Sequence, residues 1–317
     1  MDYYLAASPD EQKQKFSNLD SKEDVANLLE VPLKLLTYIL YGARERSKYE
    51  TFSIAKKSGG TREISVPPKN LAILQKKLAS VFLNIYQPKP ASHAFLRRRS
   101  VVTNASNHVG QAWVLNIDLE DYFPSIHIGR VKATFCAEPY RVGDGAAVVI
   151  SQICCNDPEG ILPQGAPTSP IVSNIVSRPL DDALMRFARE HKISYSRYAD
   201  DLTFSSRQAS VPDQLALRDT TSNKWRCASE FESLINSCGF QVNGKKTRLA
   251  TGARRQEVTG VTVNEQLNLE RRYIRNIDSM LFSWSKYGHS KAQSILCEKI
   301  QSINCGTMER ICSQILS

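Results

Sequence analysis

Two adjacent carboxylates, Asp200 and Asp201, lie between two short strand-like runs and are the residues of this chain best suited to chemistry. Residues 193–198 and 202–205 alternate roughly between larger and smaller side chains, which predicts a β-hairpin with the acids at its turn. A tight turn can direct both side chains into one cleft, and carboxylates about 3 Å apart repel each other unless a cation lies between them. Because acids are also common in solvated turns, the pair alone leaves open both a metal site and a structural turn.

A third carboxylate, Asp118, closes an apolar run over residues 112–118 that predicts a buried central strand. Ending a buried strand on an acid is costly, although a turn at the strand end would also accept it. If the two strand ends lie side by side in one sheet, the three acids form a cup of hard oxygen ligands that suits Mg²⁺. Two such ions about 3.5–4 Å apart catalyse phosphoryl transfer by activating a hydroxyl and neutralising the leaving pyrophosphate.

Three segments, in order along the chain, resemble the motifs of reverse transcriptases. Asp118 and the aromatic residues that follow it resemble the first catalytic motif, and Tyr-Ala-Asp-Asp at residues 198–201 resembles the Y-x-D-D box. Between them, residues 162–170 match the motif L-P-Q-G-x-x-x-S-P. The resemblance implies an RNA-directed DNA polymerase with an α+β right-hand fold of fingers, palm and thumb, whose palm is an antiparallel β-sheet.

The same resemblance implies a catalytic site that holds two Mg²⁺ ions. Asp118 and Asp200 are expected to ligate both ions, and Asp201 to complete the acidic cup. The backbone carbonyl of Leu119 is expected to add a further ligand.

Residues 239–247 resemble the next motif of the family, which contains a lysine that protonates the leaving pyrophosphate as a general acid. This chain has two adjacent lysines there. We expect Lys246, rather than Lys245, to fill this role.

Three further residues are expected to contact the incoming deoxynucleoside triphosphate. Residues 56–62 form a basic, glycine-bent hairpin tip, and the resemblance assigns Arg62 to the triphosphate, although such tips are often simply solvated. Phe123, five residues after Asp118, takes the position of the aromatic that blocks a ribose 2′-hydroxyl, with a core phenylalanine as the alternative. Gln164 lies in a Pro-Gly loop and is expected to contact the templating base or the incoming nucleotide.

Two short segments point to one branch of the family. Residues 104–108 match N-A-x-x-H and residues 258–260 match V-T-G, both features of bacterial retron reverse transcriptases. Asn104 and His108 are therefore expected to face RNA, with a hydrogen-bonded loop histidine as the alternative. Two other functions remain open: a group II intron-like or other bacterial reverse transcriptase, and a non-catalytic RNA-binding scaffold that restrains a toxin.

The retron resemblance implies a dedicated structured noncoding RNA that serves as both template and primer. Synthesis would start from a guanosine 2′-hydroxyl and leave a branched RNA joined to single-stranded DNA. The resemblance further implies a role in antiphage defence together with an effector protein.

The charge of the chain agrees with a polyanionic partner. The 317 residues carry a formal net charge of +9, and residues 1–30 are acidic, so the basic excess belongs to the rest of the chain. A ribosome-associated or membrane-surface protein would share this charge. Eight arginines are expected to contact RNA phosphates, with solvated clusters as the alternative: Arg97, Arg98, Arg99, Arg254, Arg255, Arg271, Arg272 and Arg275.

The chain is expected to form one body with three parts: an N-terminal helical segment over residues 1–48, fingers and palm over 49–265, and a helical thumb over 266–317. The thumb is expected to contain an amphipathic helix with a basic start and with Trp284 on its apolar side. Ser169 is expected to cap a helix that continues to about Glu190.

Cysteine usage and hydropathy bear on the compartment. The eight cysteines include no C-x-x-C pair, which indicates reduced thiols. No run approaches the roughly 18 apolar residues that a membrane span needs, and the first residues do not resemble a secretory signal. We therefore expect a cytoplasmic protein without a membrane partner.

Overall fold

The computed structural model describes residues 4–42, 49–55, 60–219, 224–269, 271–288, 291 and 293–294. Within these ranges the α-helices are α1 (Pro9–Ser17), α2 (Lys22–Leu28), α3 (Leu33–Thr37), α4 (Lys69–Ile85), α5 (Val101–Ser106), α6 (Ile128–Cys136), α7 (Asp144–Cys154), α8 (Ser169–Val176), α9 (Arg178–Glu190), α10 (Ser229–Ser237) and α11 (Arg271–Tyr287). A π-helical turn, Tyr38–Gly42, continues α3.

The strands form one central sheet and three small hairpins. The central sheet contains β3 (Trp113–Asp118), β4 (Ser194–Tyr198), β5 (Asp201–Ser206) and β8 (Arg248–Thr251). The hairpins are β1 (Glu50–Ala55) with β2 (Thr61–Val66), β6 (Ala216–Arg218) with β7 (Trp225–Cys227), and β9 (Glu257–Val258) with β10 (Val261–Thr262).

The central sheet has the strand order β4-β5-β3-β8, and each pair of neighbours is antiparallel. β3 lies inside this sheet, and five of its six residues are buried because both of its faces are covered. The chain crosses from β3 to β4 through α6–α9, and α9 packs against β4. The predicted antiparallel palm is confirmed, and it sets Asp118 and the 200–201 pair at one end of two adjacent strands.

The N-terminal helices share the core of the rest of the protein. α1 packs against α4, and α2 packs against α7. Phe16 of α1 makes edge-to-face contacts with Phe82 and Phe135, and those two rings stack with centroids 4.8 Å apart. This aromatic cluster stabilises the contact between the N-terminal segment and the helices beside the palm.

The helix predicted from Ser169 to Glu190 is in fact two helices, α8 and α9, which meet at Ser177. Pro179 lies in the first turn of α9, where its missing N–H is tolerated, but a continuous helix would place its ring against the preceding turn. Ser169 is the first residue of α8 rather than its cap. Its hydroxyl instead donates to the carbonyl of Pro163, 2.6 Å away, and so ties the helix start to the preceding loop.

The predicted β-hairpin before the palm is confirmed by β1 and β2, which pair from Glu50↔Val66 to Ala55↔Thr61. Its tip, residues 56–59, lies outside the described residues. The backbone N–H of Ser65 donates to the carbonyl of Gln164 at 2.8 Å, so β2 contacts the Pro-Gly loop.

The expected helix after the palm is present as α11. Ile274, Ile277, Leu281 and Trp284 recur at helical spacing, and each is at least 37% exposed within the described part of the chain. Among the described helices, none combines the length and apolar character needed to cross a membrane.

Candidate active site

The catalytic hairpin turns within two residues. Tyr198 pairs with Asp201 across β4 and β5, which leaves Ala199 and Asp200 as the loop. Ala199 has φ +57°, a left-handed conformation that glycine usually supplies at the first position of such a turn. The turn therefore lifts Asp200 out of the strand alternation while Asp201 remains in the ladder.

The three carboxylates meet at the end of the central sheet. Asp118 and Asp201 are register partners on β3 and β5, and side chains opposite each other in an antiparallel pair lie about 5 Å apart at Cβ. Immediately after β3, the N–H of Leu119 donates to the carbonyl of Asp200 at 3.0 Å. The end of β3 is thus bound directly to the turn, which fixes Asp200 beside the other two acids.

Burial and the mutual repulsion of these acids raise the proton affinities of Asp200 and Asp201. Burial, together with the charge of Asp118, raises the pKa of Asp200, while the charges of Lys246 and Arg62 partly oppose this rise. Asp201 keeps access to solvent on one side. Even so, its partial loss of hydration and the charges of Asp200 and Asp118 raise its pKa to about 7. Three charged carboxylates this close together repel one another, so the cluster favours the binding of a cation.

Lys246 supplies one positive charge at the site. Its Nζ lies 2.9 Å from both Oδ1 and Oδ2 of Asp118. Two backbone hydrogen bonds place it there: Asn243 N–H to the Asp118 carbonyl at 2.8 Å, and Lys246 N–H to the Asn243 carbonyl at 2.9 Å. The structure therefore brings Lys246, the lysine favoured from the sequence, to the acidic cup.

The donor set fits a hard divalent cation, since it consists of carboxylate oxygens. Among the described residues, no three His, Cys, Asp or Glu side chains stand ready as a metal-binding group. The ammonium of Lys246 engages both oxygens of Asp118. A metal ion at the cup would compete with the Lys246 ammonium for the negative charge of Asp118.

A cavity of about 330 Å³ lies between the β1–β2 hairpin and the palm. Arg62 and Gln164 both line it, together with Asp121 and Pro124. Gly165, at φ +125°, permits this arrangement because a Cβ there would lie 2.8 Å from the carbonyl oxygen of Ser65. Two of the residues expected to contact the incoming nucleotide thus share one cavity.

Phe123 does not line that cavity directly. Its half-buried ring lies 5.4 Å from the ring of Tyr122 and 6.4 Å from that of Phe95, centroid to centroid. Phe123 comes five residues after Asp118 in the sequence and packs against the hydrophobic core next to Tyr122. Its role as a gate against a 2′-hydroxyl stays a prediction.

Comparison with known proteins places these features in one family. A model of the reverse transcriptase (RNA-dependent DNA polymerase) family matches residues 54–263. The chain belongs to the reverse transcriptase family. Together with the antiparallel palm, this membership confirms the predicted α+β right-hand polymerase fold.

Curated relatives place this reverse transcriptase in the retron branch. It is 36% identical over 277 residues to the retron Mx65 reverse transcriptase of Myxococcus xanthus, an alignment that covers 82% of this chain and 62% of the relative. It is 30% identical over 250 residues to the retron Ec86 reverse transcriptase of Escherichia coli, covering 78% of this chain and 72% of the relative. The chain thus spans less than two thirds of the length of the Mx65 protein.

A solved structure with a similar course of the backbone is the telomerase of Candida albicans in complex with a fragment of telomeric RNA. The TM-score is 0.46 at 12% identity, over 70% of this chain and 46% of that one.

The two retron motifs of this reverse transcriptase contact each other. Ala105 of the first motif and Val258 of the second belong to one buried apolar cluster behind β3. Asn104 Nδ2 lies 3.5 Å from Thr259 Oγ1. The motifs therefore form one packed unit, which is named the retron-motif unit below and comprises residues 101–109 and 257–263.

The expectation that Asn104 and His108 face RNA is wrong for direct contact, because both side chains are fully buried. The imidazole of His108 lies between two hydroxyls, with Nδ1 2.7 Å from Ser205 Oγ and Nε2 2.7 Å from Ser196 Oγ. Burial lowers the pKa of His108 to about 3, so the ring is neutral. His108 thereby joins the retron-motif unit to β4 and β5, the strands of the catalytic hairpin.

The predicted RNA-binding arginines differ in their freedom to reach a phosphate. Arg97 and Arg98 are exposed, whereas the Arg99 guanidinium donates to the carbonyls of Lys89, Pro90 and Ser92 and holds its own loop in place. Arg99 Nη1 therefore holds its own loop in place, and a contact of this residue with phosphate stays a prediction.

The remaining arginines lie on two other elements. Arg254 and Arg255 are exposed near β9, where Arg255 pairs with Glu257 at 3.0 Å. Arg271 and Arg275 are exposed on α11. Arg272 belongs to the same helix, and its side chain lies outside the described residues.

Sequence reasoning missed one pair of residues beneath the active site. Arg197 and Asp181 form an ion pair, and both are completely buried. The signal in the sequence was Arg197, a charged residue within the strand-like run that ends at Tyr198. Charged side chains are rarely buried unless they are paired, so this residue called for a buried partner.

Proposed function

We propose that the chain is an RNA-directed DNA polymerase of the retron type, which copies part of a structured noncoding RNA into single-stranded DNA. The observation that carries the proposal is the register of Asp118 against Asp201 with Asp200 in the adjoining turn, in a member of the reverse transcriptase family. Identity to curated retron reverse transcriptases favours the retron type over a group II intron-like enzyme.

Two Mg²⁺ ions, held by Asp118, Asp200 and Asp201 with help from the Leu119 carbonyl, would activate the attacking hydroxyl and stabilise the leaving pyrophosphate. The side chains of the protein have separate tasks. Arg62 and Gln164 hold the deoxynucleoside triphosphate in the cavity that they share. Lys246 leaves Asp118 and donates a proton to pyrophosphate.

The proposed partners follow from the family and from the charge. RNA and its DNA product are expected to lie across the basic surface, and the net charge of +9 supports such a polyanion. We further propose priming from an RNA 2′-hydroxyl, a branched RNA–DNA product, and an effector protein acting with it in antiphage defence. We expect the reaction in the cytoplasm, where template RNA and deoxynucleoside triphosphates are available.

The experiment is expression of the protein with the noncoding RNA proposed as its template, followed by sequencing of the nucleic acid that copurifies. A short DNA joined to one RNA through a 2′-linkage is the expected product. Asp200→Ala and Asp201→Ala are expected to abolish this DNA while RNA still copurifies.

Asp144→Asn is the matched control, because it changes an exposed acid on α7 that pairs with Lys132. Undiminished DNA synthesis by the Asp200 and Asp201 variants would refute the assigned site. If the wild-type protein binds RNA but makes no DNA, the scaffold that restrains a toxin becomes the better explanation.

A further inference from the structure

A buried guanidinium lies directly beneath the catalytic turn. Arg197 Nε donates to Asp181 Oδ1 at 2.8 Å, and Nη2 donates to Asp181 Oδ2 at 2.7 Å, so the pair is bidentate. Neither residue is exposed. Burying two charges is costly unless geometry and further hydrogen bonds compensate, which makes the remaining contacts of Arg197 informative.

Those remaining contacts reach both segments that bear the catalytic acids. Nη1 of Arg197 donates to the carbonyl of Ala199 at 3.2 Å, within the turn that precedes Asp200. It also donates to the hydroxyl of Tyr122 at 3.0 Å, on the segment that follows Asp118. One planar group thus touches the chain on either side of the acidic cup.

The other contacts hold the guanidinium in one orientation. Nη1 donates to Asn174 Oδ1 on α8 at 3.1 Å, and Nη2 donates to Ser92 Oγ at 3.2 Å. Tyr122 is also fixed from its far side, because its hydroxyl lies 2.9 Å from Ser177 Oγ. Arg197 therefore occupies a site whose acceptors come from several elements of the palm.

The turn has a physical need for such support. Ala199 lies at φ +57°, which a residue with a Cβ adopts at a cost in conformational energy. The Ala199 carbonyl belongs to the peptide bond that leads into Asp200, so its direction sets where the Asp200 side chain begins. A donor fixed from below can hold that carbonyl in place.

We propose that Arg197 is a positioning residue, which holds the Ala199–Asp200 turn and the segment after Asp118 at the separation that lets the three acids bind divalent cations together. This inference rests on the proposed polymerase function. It predicts that loss of the guanidinium impairs cation binding at the cup more than it impairs folding or nucleotide binding.

The side chain can be tested apart from the backbone. The N–H of Arg197 donates to the Ala91 carbonyl at 2.7 Å, and its carbonyl accepts from His93 N–H at 2.8 Å, so strand β4 is held independently. Arg197→Lys keeps a positive charge opposite Asp181 but loses the planar fork that reaches Ala199 and Tyr122 at once. Tyr122→Phe is a milder change that removes the link toward Asp118, together with the contacts of the same hydroxyl to Ser177 Oγ and the Ser173 carbonyl.

Tyr195→Phe is the matched control. The Tyr195 hydroxyl donates to the same Oδ1 of Asp181 at 3.0 Å, so the variant removes a hydrogen bond to the buried pair. The bonds from Arg197 to Ala199 and Tyr122 are left in place. A purely structural effect on the pair should therefore appear in Tyr195→Phe as well.

Two measurements separate positioning from stability. The first is the rise in Tm that Mg²⁺ produces in the protein without nucleic acid, which reports cation binding to the folded state. The second is DNA synthesis as a function of Mg²⁺ and of deoxynucleoside triphosphate concentration.

We expect Arg197→Lys to lose most of the Mg²⁺-dependent rise in Tm and to lower kcat by about 10- to 100-fold, with KM for the nucleotide little changed. Tyr122→Phe should shift the Mg²⁺ requirement in the same direction by roughly threefold, and Tyr195→Phe should leave it at the wild-type value. If Arg197→Lys does not fold, the Mg²⁺ requirement of Tyr122→Phe compared with that of Tyr195→Phe decides the question.

Wild-type Mg²⁺ dependence in both Arg197→Lys and Tyr122→Phe, with only a lower Tm, would overturn the positioning role. The proposed function itself would be overturned by two results together: the wild-type protein makes no DNA, and the rise in Tm with Mg²⁺ is unchanged in Asp200→Ala. The two failures are therefore distinguishable.

Discussion

The ammonium nitrogen of Lys246 lies 2.9 Å from each carboxylate oxygen of Asp118. One residue of this pair is the expected general acid, and the other is an expected ligand of both metal ions. A cation that binds Asp118 must compete with the ammonium for the same two oxygens. Metal binding and the release of Lys246 are therefore linked, and each should be measurable through the other.

Lys246→Met is expected to bind Mg²⁺ more tightly in the absence of nucleotide, by roughly threefold to tenfold, because the competing charge is removed. The same variant should polymerise about 100-fold more slowly, because pyrophosphate would leave without its proton donor. A Mg²⁺ titration of Tm and single-turnover DNA synthesis check the two effects. Lys245→Met, which removes the neighbouring exposed lysine, is the control, and equal effects in both variants would contradict the assignment.

His108 should make stability depend on pH. Its pKa is lowered to about 3 by burial, so the folded state stays neutral where the unfolded histidine binds a proton. The contribution of this residue to the free energy of unfolding is fully present above about pH 6.5 and is lost as the pH falls. The loss reaches about 2 kcal/mol at pH 5. Urea unfolding of the wild type and of His108→Gln at pH 7.5 and pH 5 measures this loss. The difference in stability between the two should shrink at pH 5, and a constant difference would show that His108 takes up its proton in the folded state.

Phe123→Val is expected to admit ribonucleotides, because the ring that would oppose a 2′-hydroxyl is replaced by a smaller side chain. The ratio of kcat/KM for deoxy- over ribonucleotides should fall by about tenfold or more. The kcat/KM for deoxynucleotides on the same variant serves as the control for general damage. Unchanged discrimination would mean that Phe123 acts only as a core residue beside Tyr122.

The arginine loop offers a contrast between neighbours. Neutralising the exposed Arg97 or Arg98 to Gln should weaken RNA binding and reduce the slope of log K against log salt by about one each, if each contacts a phosphate. Arg99→Gln should instead lower Tm, because its guanidinium donates to the carbonyls of Lys89 and Pro90. An unchanged slope in the first two variants would indicate that this loop faces away from the RNA.

The acidic site was predictable from sequence because its signals are local. An apolar run ending at Asp118, and two acids between strand-like runs, specify strand ends and a turn before any tertiary contact is known. The register of Asp118 against Asp201 then follows once β3 and β5 are neighbours. Lys246 was identified only through the resemblance of residues 239–247 to a family motif, and its contact with Asp118, 128 residues away along the chain, is a product of the tertiary structure.

Other features depend on tertiary contacts that no local pattern reports. A match to N-A-x-x-H identifies His108 but does not say which way it faces, and its burial results from hydroxyls on β4 and β5. Arg197 and Asp181 become meaningful only when α9 packs against β4. The break between α8 and α9 was local, since Pro179 is visible in the sequence, and its effect was not anticipated.

The contact between the two halves of the retron-motif unit bears on the exchange of segments among retron enzymes. Asn104 and Ala105 pack against Val258 and Thr259, although more than 150 residues separate them along the chain. A chimera that imports one motif alone would place unmatched surfaces in a buried seam and, through His108, would disturb the hairpin that bears the catalytic acids. A chimera between two retron enzymes should therefore take both motifs from the same donor.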